Sequence, residues 1–257
     1  MKGAWVIAWR DLRGYFGGVG FYVISALVTA FLGLTYATNL RELANRSAYQ
    51  GLSHGSGDVN VHQSLFIQHI SSLNLLLLFL VPFLTARLLS EERKTRTMDL
   101  LLTSPVASWQ IVLGKMIAGC CVSWMLVALS FIYPLVTARF VEGGLEWKLL
   151  LSSYGGMMLL AGAYVAVGLF ASSLTESMVL SGVVAIVLSL FLWFVAWTAS
   201  LIDQPTLRDV MNHVAVVTHF RNLATGSLQT VSLIFFFSLI FFYGFLTERV
   251  VESARWR

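Results

Sequence analysis

The residues best suited to chemistry are the paired carboxylates Glu91-Glu92, followed at the spacing Glu-Glu-x-x-x-Arg by Arg96. Intramembrane proteases use such a pair to activate water, but that chemistry also needs histidine at the same depth. His54, His62, His69, His213 and His219 are all expected on the opposite side of the membrane. A serine protease is equally unsupported, since no span holds Gly-x-Ser-Gly or a histidine. Gly114-Lys115 is followed by Met116 and has no glycine five residues earlier, so it is not a P-loop, and the chain is not expected to hydrolyse ATP. The histidine pairs His62/His69 and His213/His219 are seven and six residues apart, which suits no metal site, so no metal is expected. Adjacent Cys120-Cys121 cannot readily close a disulfide and read as small apolar filler.

The elements that carry these residues follow from composition. Of 257 residues, 57% are hydrophobic and only 12% charged, far from the ~25% charged of a soluble domain. Six stretches free of Lys, Arg, Asp and Glu stand out: 14–40, 59–86, 116–138, 149–175, 177–202 and 222–247. A helix needs about 20 apolar residues to cross a bilayer, so each stretch holds one span and none holds two. The expected fold is all-α, a single polytopic domain over 1–257. Spans are placed near 19–38, 71–89, 117–138, 153–174, 178–200 and 229–247, helices being the only open segments lipid tolerates. The first span is too long for a signal-peptide core, and Tyr36-Ala37-Thr38-Asn39 is a poor cleavage site, so it is expected to be retained.

Six spans put both termini on one side. That side carries eleven Lys and Arg against six opposite, while the acidic residues divide seven and six. It is therefore expected to be cytoplasmic, in a bacterial inner membrane. The basic excess suits anionic lipid and calls for no nucleic acid.

Around the spans, residues 2–16 read as an interfacial helix with Trp5, Trp9 and Phe16 on one face and Arg10 and Arg13 reaching the headgroups. Residues 39–70 read as a long polar outer loop. In 201–228, Thr206 and Asp209 are suited to cap an amphipathic helix. His219, Phe220 and Gly226 then mark a re-entrant outer element that closes the pathway before the last span. Small residues at Gly114, Ala118, Gly155, Gly156, Gly162 and Ala166 suit close helix packing.

The densest charge cluster follows span two and reads as helix over 90–103, with Glu92 and Arg96 as an i,i+4 pair and Pro105 as the stop. It suits either an anchor or a docking knob. With no Asp, Glu, Lys or Arg in the six uncharged stretches and no internal repeat, coupling to ions is disfavoured, and energy should enter through this surface. The alternatives are an ion-coupled secondary transporter and a scaffold or assembly factor without an ATPase partner.

This segment resembles the hallmark of ABC-2 type transporter permeases, Glu-Glu-basic-basic-x-Gly-Thr-Leu-Glu-x-Leu-Leu-x-x-Pro-Val followed by Gly-Lys. It stands here as Glu91-Glu92-Arg93-Lys94-Thr95-Arg96-Thr97-Met98-Asp99-Leu100-Leu101-Leu102-Thr103-Ser104-Pro105-Val106, then Gly114-Lys115. Arg96 replaces the usual Gly, so the turn before Thr97 is expected to give way to continuous helix. Trp9 to Phe16 resembles the family's elbow helix. His219-Phe220, Gly226 and Thr247-Glu248-Arg249 resemble the branch of gliding-motility-associated permeases and of the permease of nitrous-oxide-reductase maturation.

The resemblance implies a non-catalytic permease subunit of an ATP-driven exporter. It implies a second permease, identical or related, separate ABC ATPase subunits that bind ATP and Mg, and an accessory subunit on the outer side. The coupling surface would comprise Glu91, Glu92, Arg93, Lys94, Arg96, Thr97, Met98, Asp99, Leu101 and Leu102. The chain itself would bind no cofactor. A Phe-, Leu- and Val-rich pathway is compatible with lipid, hydrophobic or polymeric cargo.

Overall fold

The structure, a computed structural model, describes residues 2–52, 62–98, 106–140, 145–199, 201–226 and 229–255. Among these there are helices and turns and no strands. In chain order the helices are α1 (Lys2–Phe16), α2 (Val19–Leu52), α3 (Ile67–Lys94), α4 (Ser108–Ser130), α5 (Ile132–Thr137), α6 (Trp147–Leu174), α7 (Met178–Ala199), α8 (Pro205–Val214), α9 (Val216–Ala224) and α10 (Thr230–Ala254). One π-helical turn, His62–Phe66, leads into α3. Six helical stretches among the described residues are long and apolar enough to cross a bilayer: 19–48, 64–94, 108–137, 147–174, 178–199 and 230–254. The chain is an all-α, multi-pass membrane protein.

Helix α6 is the axis of the bundle. Of its apolar window 78% is buried, against 17% for α10 and 22% for the first span, so those two keep broad faces for lipid. The central place depends on small residues. At Gly156 a β-carbon would lie 2.6 Å from Leu223 Cβ, and at Gly168 it would overlap the Thr85 side chain. Gly114 does the same for α1, with Ala4 O only 2.6 Å from where a β-carbon would stand. Gly155 faces open space and plays no such part.

Several sequence expectations are corrected. The outer loop expected over 39–70 is largely helix, because α2 continues to Leu52 and helical turns resume at His62. Helical hydrogen bonds satisfy a polar backbone above the membrane as well as inside it, so loss of hydropathy did not end the helix. The third span begins at Ser108 rather than near 117, which draws Lys115 into it. His69, expected outside, lies within the second span and is buried. The separation argument survives, since 22 residues of helix put His69 about 33 Å from Glu91. Helix α8 starts with Pro205 in its first turn and has no side-chain cap, so Thr206 and Asp209 do not act as a capping pair. Pro at this position has no N–H to satisfy and arrives with helical φ.

The helix expected over 90–103 is interrupted. α3 ends at Lys94, residues 95–97 form a turn, and Arg96 adopts φ 57°. The residue that departs from the family pattern thus holds the left-handed conformation a glycine would take without strain. The turn persists despite the substitution, braced by the Thr95 hydroxyl, which donates to Glu91 O and pairs with Thr97 Oγ1 at 2.9 Å.

Candidate functional site: a buried ion network beneath the second span

Three elements meet where α3 leaves the bundle. α1 brings Arg10 and Asp11, the last turns of α3 bring Glu91 and Glu92, and the second turn of α4 brings Lys115. Lys115 is 1% exposed. Its ammonium lies 2.9 Å from Glu92 Oε2, as an ion pair rather than an aligned hydrogen bond. It also lies 3.2 Å from Asp11 Oδ2 and donates to Leu88 O at 2.5 Å. Arg10 closes the circuit by bonding Glu92 Oε1 and, at 3.0 Å, Asp11 Oδ1. Partial burial works against the Arg10 charge, but Asp11 and Glu92 outweigh it and raise its pKa. Two cations against two carboxylates balance the charge, which a poorly solvated cluster requires.

Tyr15 extends the joint. Its hydroxyl donates to Leu84 O at 2.5 Å, and the Arg87 guanidinium sits 3.8 Å from its ring centroid. Burial pushes the Tyr15 phenol up to about 12, so it remains a donor at neutral pH. A cavity of about 390 Å³ opens beside the network, lined in part by Glu91, Thr95 and Thr97. The C-terminal helix joins the same side, with Ser108 bonded to Glu252 and Arg255 donating to Val106 O at 3.0 Å.

Just above, α3 is locked to α6. The Ser172 hydroxyl donates to Ala86 O at 2.7 Å and accepts the N–H groups of Leu89 and Ser90 at 3.0 Å each, so it sits within the α3 hydrogen-bond ladder. Displacement of the α3 end is therefore felt by α1, α4 and α6 together.

The residues expected to couple divide by placement. Glu91, Lys94, Arg96 and Thr97 are exposed, Glu92 and Arg93 are half-buried, and Met98 is buried. Asp99, Leu101 and Leu102 lie outside the described residues. On α1, Trp5 and Trp9 are exposed, with Arg13 over the Trp9 ring, while Phe16 is half-buried and packs on the core. Sequence reasoning missed Lys115 because it treated this residue as a flank of the span. The signal was available: once Pro105 ends one element, a helix started at Ser108 carries residue 115 two turns inward. Ser172 had no such signal, since a serine near a span end is ordinary.

At the other end, α9 is buried at Val216, His219, Phe220, Leu223 and Ala224, whereas α8 has no buried residue. His219 stacks on Phe235 at 4.2 Å, donates from Nε2 to His213 O at 2.9 Å and accepts the Ser232 hydroxyl at Nδ1, 3.2 Å away. The last carbonyls of α9 are satisfied from α6: Ser152 donates to Leu223 O at 3.0 Å and Ser153 to Ala224 O at 2.7 Å, with His62 Nε2 also 3.2 Å from Ala224 O. Gly226 ends the element at φ 83°, where any β-carbon would overlap Leu149. His219 and Gly226 thus hold α9 in place, and Phe220 faces a cleft. Among the described residues no three His, Cys, Asp or Glu converge on a point.

No curated protein matches the sequence. A family model described as ABC-2 family transporter protein matches residues 5–244, from the first turns of α1 to the last span, and so takes in the ion network and the α8–α9 pair alike. The family implies a membrane permease component that works with ABC ATPase subunits. The chain belongs to the ABC-2 family of transporter proteins.

Proposed function

We propose that this chain forms the substrate pathway of an ATP-driven exporter, as one of two permeases, identical or related, that face each other in a bacterial inner membrane. The termini and the α3–α4 segment are cytoplasmic in this reading, and two ATPase subunits dock there and bind ATP and Mg. The supporting observation is the Lys115 network, which joins α1, the end of α3 and the start of α4 into one rigid joint. A push on the segment beyond Glu92 then moves three elements rather than bending one. Glu91, Lys94, Arg96 and Thr97 present the docking face, continuing into Asp99, Leu101 and Leu102. Glu92 and Met98 face inward and transmit. α9, with His219, Phe220 and Gly226, forms the outer gate, and an accessory subunit docks on that side.

The test separates docking from the joint. The double reversal Glu91→Lys with Lys94→Glu should reduce recovery of the ATPase subunit that co-purifies with the wild-type chain by about tenfold, ~1.4 kcal/mol, with an unchanged melting temperature. Undiminished recovery refutes the docking assignment. Phe220→Asp should lower substrate flux while ATPase recovery stays at the wild-type level, and normal flux removes the gate.

A further inference from the structure

A second cavity, of about 390 Å³, lies between α3, α7 and α9 on the side away from the termini. Its walls are Leu75 and Leu78 of α3, Trp193 and Phe194 of α7 and Phe220 of α9. Such a volume falls within the ~300–1,000 Å³ range of small-molecule sites. From Ile67 to Leu78 its α3 wall runs 11 residues, about 16 Å at 1.5 Å per residue. That is roughly half of a ~30 Å hydrocarbon core, the depth of one leaflet. Leu75 and Phe194 are 56% and 45% exposed, so the mouth opens sideways at membrane depth rather than into water.

Polar groups lie at defined points in this apolar cleft. Arg221 stands on its α9 wall, exposed, and makes no ion pair or side-chain hydrogen bond among the described residues. Asn74, 8% exposed, also lines it, with Oδ1 accepting the Tyr164 hydroxyl at 3.0 Å. A guanidinium with no ion-pair partner among the described residues, above a leaflet-deep apolar slot, matches an amphiphile with an anionic head. A water-soluble anion would gain nothing from Leu75, Leu78 and Phe194, and a neutral lipid would leave Arg221 without a counter-ion.

The geometry points to this cleft as a binding site for a single anionic lipid of the leaflet opposite the termini, its head on Arg221 and one chain along α3 and α7. The site is independent of ATPase coupling, so its failure would leave the transport reading untouched.

Trp193 supplies a probe. The full chain is placed in nanodiscs of phosphatidylcholine containing a small fraction of brominated phosphatidylglycerol or, in parallel, brominated phosphatidylcholine. The Trp193 signal is taken as the difference from Trp193→Phe. Quenching by the anionic lipid should correspond to about fivefold higher occupancy than the zwitterionic lipid at equal fraction, the preference one basic group gives near the interface. Arg221→Gln and Arg221→Glu should abolish the preference and Arg221→Lys should keep it, with all three melting as wild type does. Equal quenching by both lipids, or a preference that survives Arg221→Gln, overturns the site. Quenching by neither lipid also overturns it, and means that a second copy of the chain covers the cleft.

Discussion

The Lys115 side chain is 1% exposed, so the cost of burying its ammonium is offset only while Asp11, Glu92 and Leu88 O stay in place. Lys115→Met should therefore lower stability by about 3 kcal/mol, because the two carboxylates are left with Arg10 as their single cation. Thermal unfolding in detergent checks this, and adding Asp11→Asn and Glu92→Gln should recover most of the loss. No recovery would mean that packing, not charge, is at stake. Arg96 presents a separate cost. At φ 57° alanine should be about 1 kcal/mol less stable than glycine. Comparing Arg96→Ala with Arg96→Gly isolates that cost, since both remove the guanidinium, and equal melting temperatures would contradict the strain. The resemblance marked position 96 as unusual, but continuous helix was the wrong consequence. Local propensity cannot reveal that Thr95 and Thr97 brace a turn.

At the scale of elements, α9 ends among other helices instead of in water, and its last carbonyls depend on Ser152 and Ser153 of α6. Replacing both serines by alanine removes one hydrogen bond from each carbonyl, at about 1 kcal/mol apiece, while Leu223 O keeps the Gly226 N–H and Ala224 O keeps His62 Nε2. Faster amide exchange in α9 than in α6 is the expected result, and unchanged exchange would show that the Gly226 N–H and His62 hold the helix end without the hydroxyls. The α3–α6 contact is steric. Gly168→Val would drive a side chain into Thr85 and part α3 from Ser172, so the variant should unfold at lower temperature than Gly155→Val, which meets open space. Gly155 is among the six small residues that the sequence offers as packing sites, whereas Gly168 is not, although it makes the tighter contact. Which glycine faces a neighbour depends on helix rotation, a property of the assembled bundle. The existence of α8 and α9 was legible from the amphipathic run after residue 205, whereas their unequal burial was not.

For the whole molecule, α6 forms the enclosed axis while α2, α7 and α10 keep lipid-facing surface. Charge reversal on the exposed face at Glu91 and Lys94 should leave this bundle intact, whereas Glu92→Lys should both destabilise it and uncouple it, because that side chain meets Lys115. Melting curves of the two variants, taken beside ATPase recovery, distinguish a surface contact from a joint. By itself the sequence determined the class and the number of crossings. Charge is too costly in hydrocarbon to be scattered, so six uncharged windows could mean little else. It also located the cluster at 91–96 and, through its resemblance, the family. Only the tertiary structure decided that Lys115 is sealed between Asp11 and Glu92, that Ser172 enters the α3 ladder, and that Arg221 overlooks an apolar cleft. Those relations join residues 23 to 154 positions apart, and hydropathy along a chain has no term for which helix faces which.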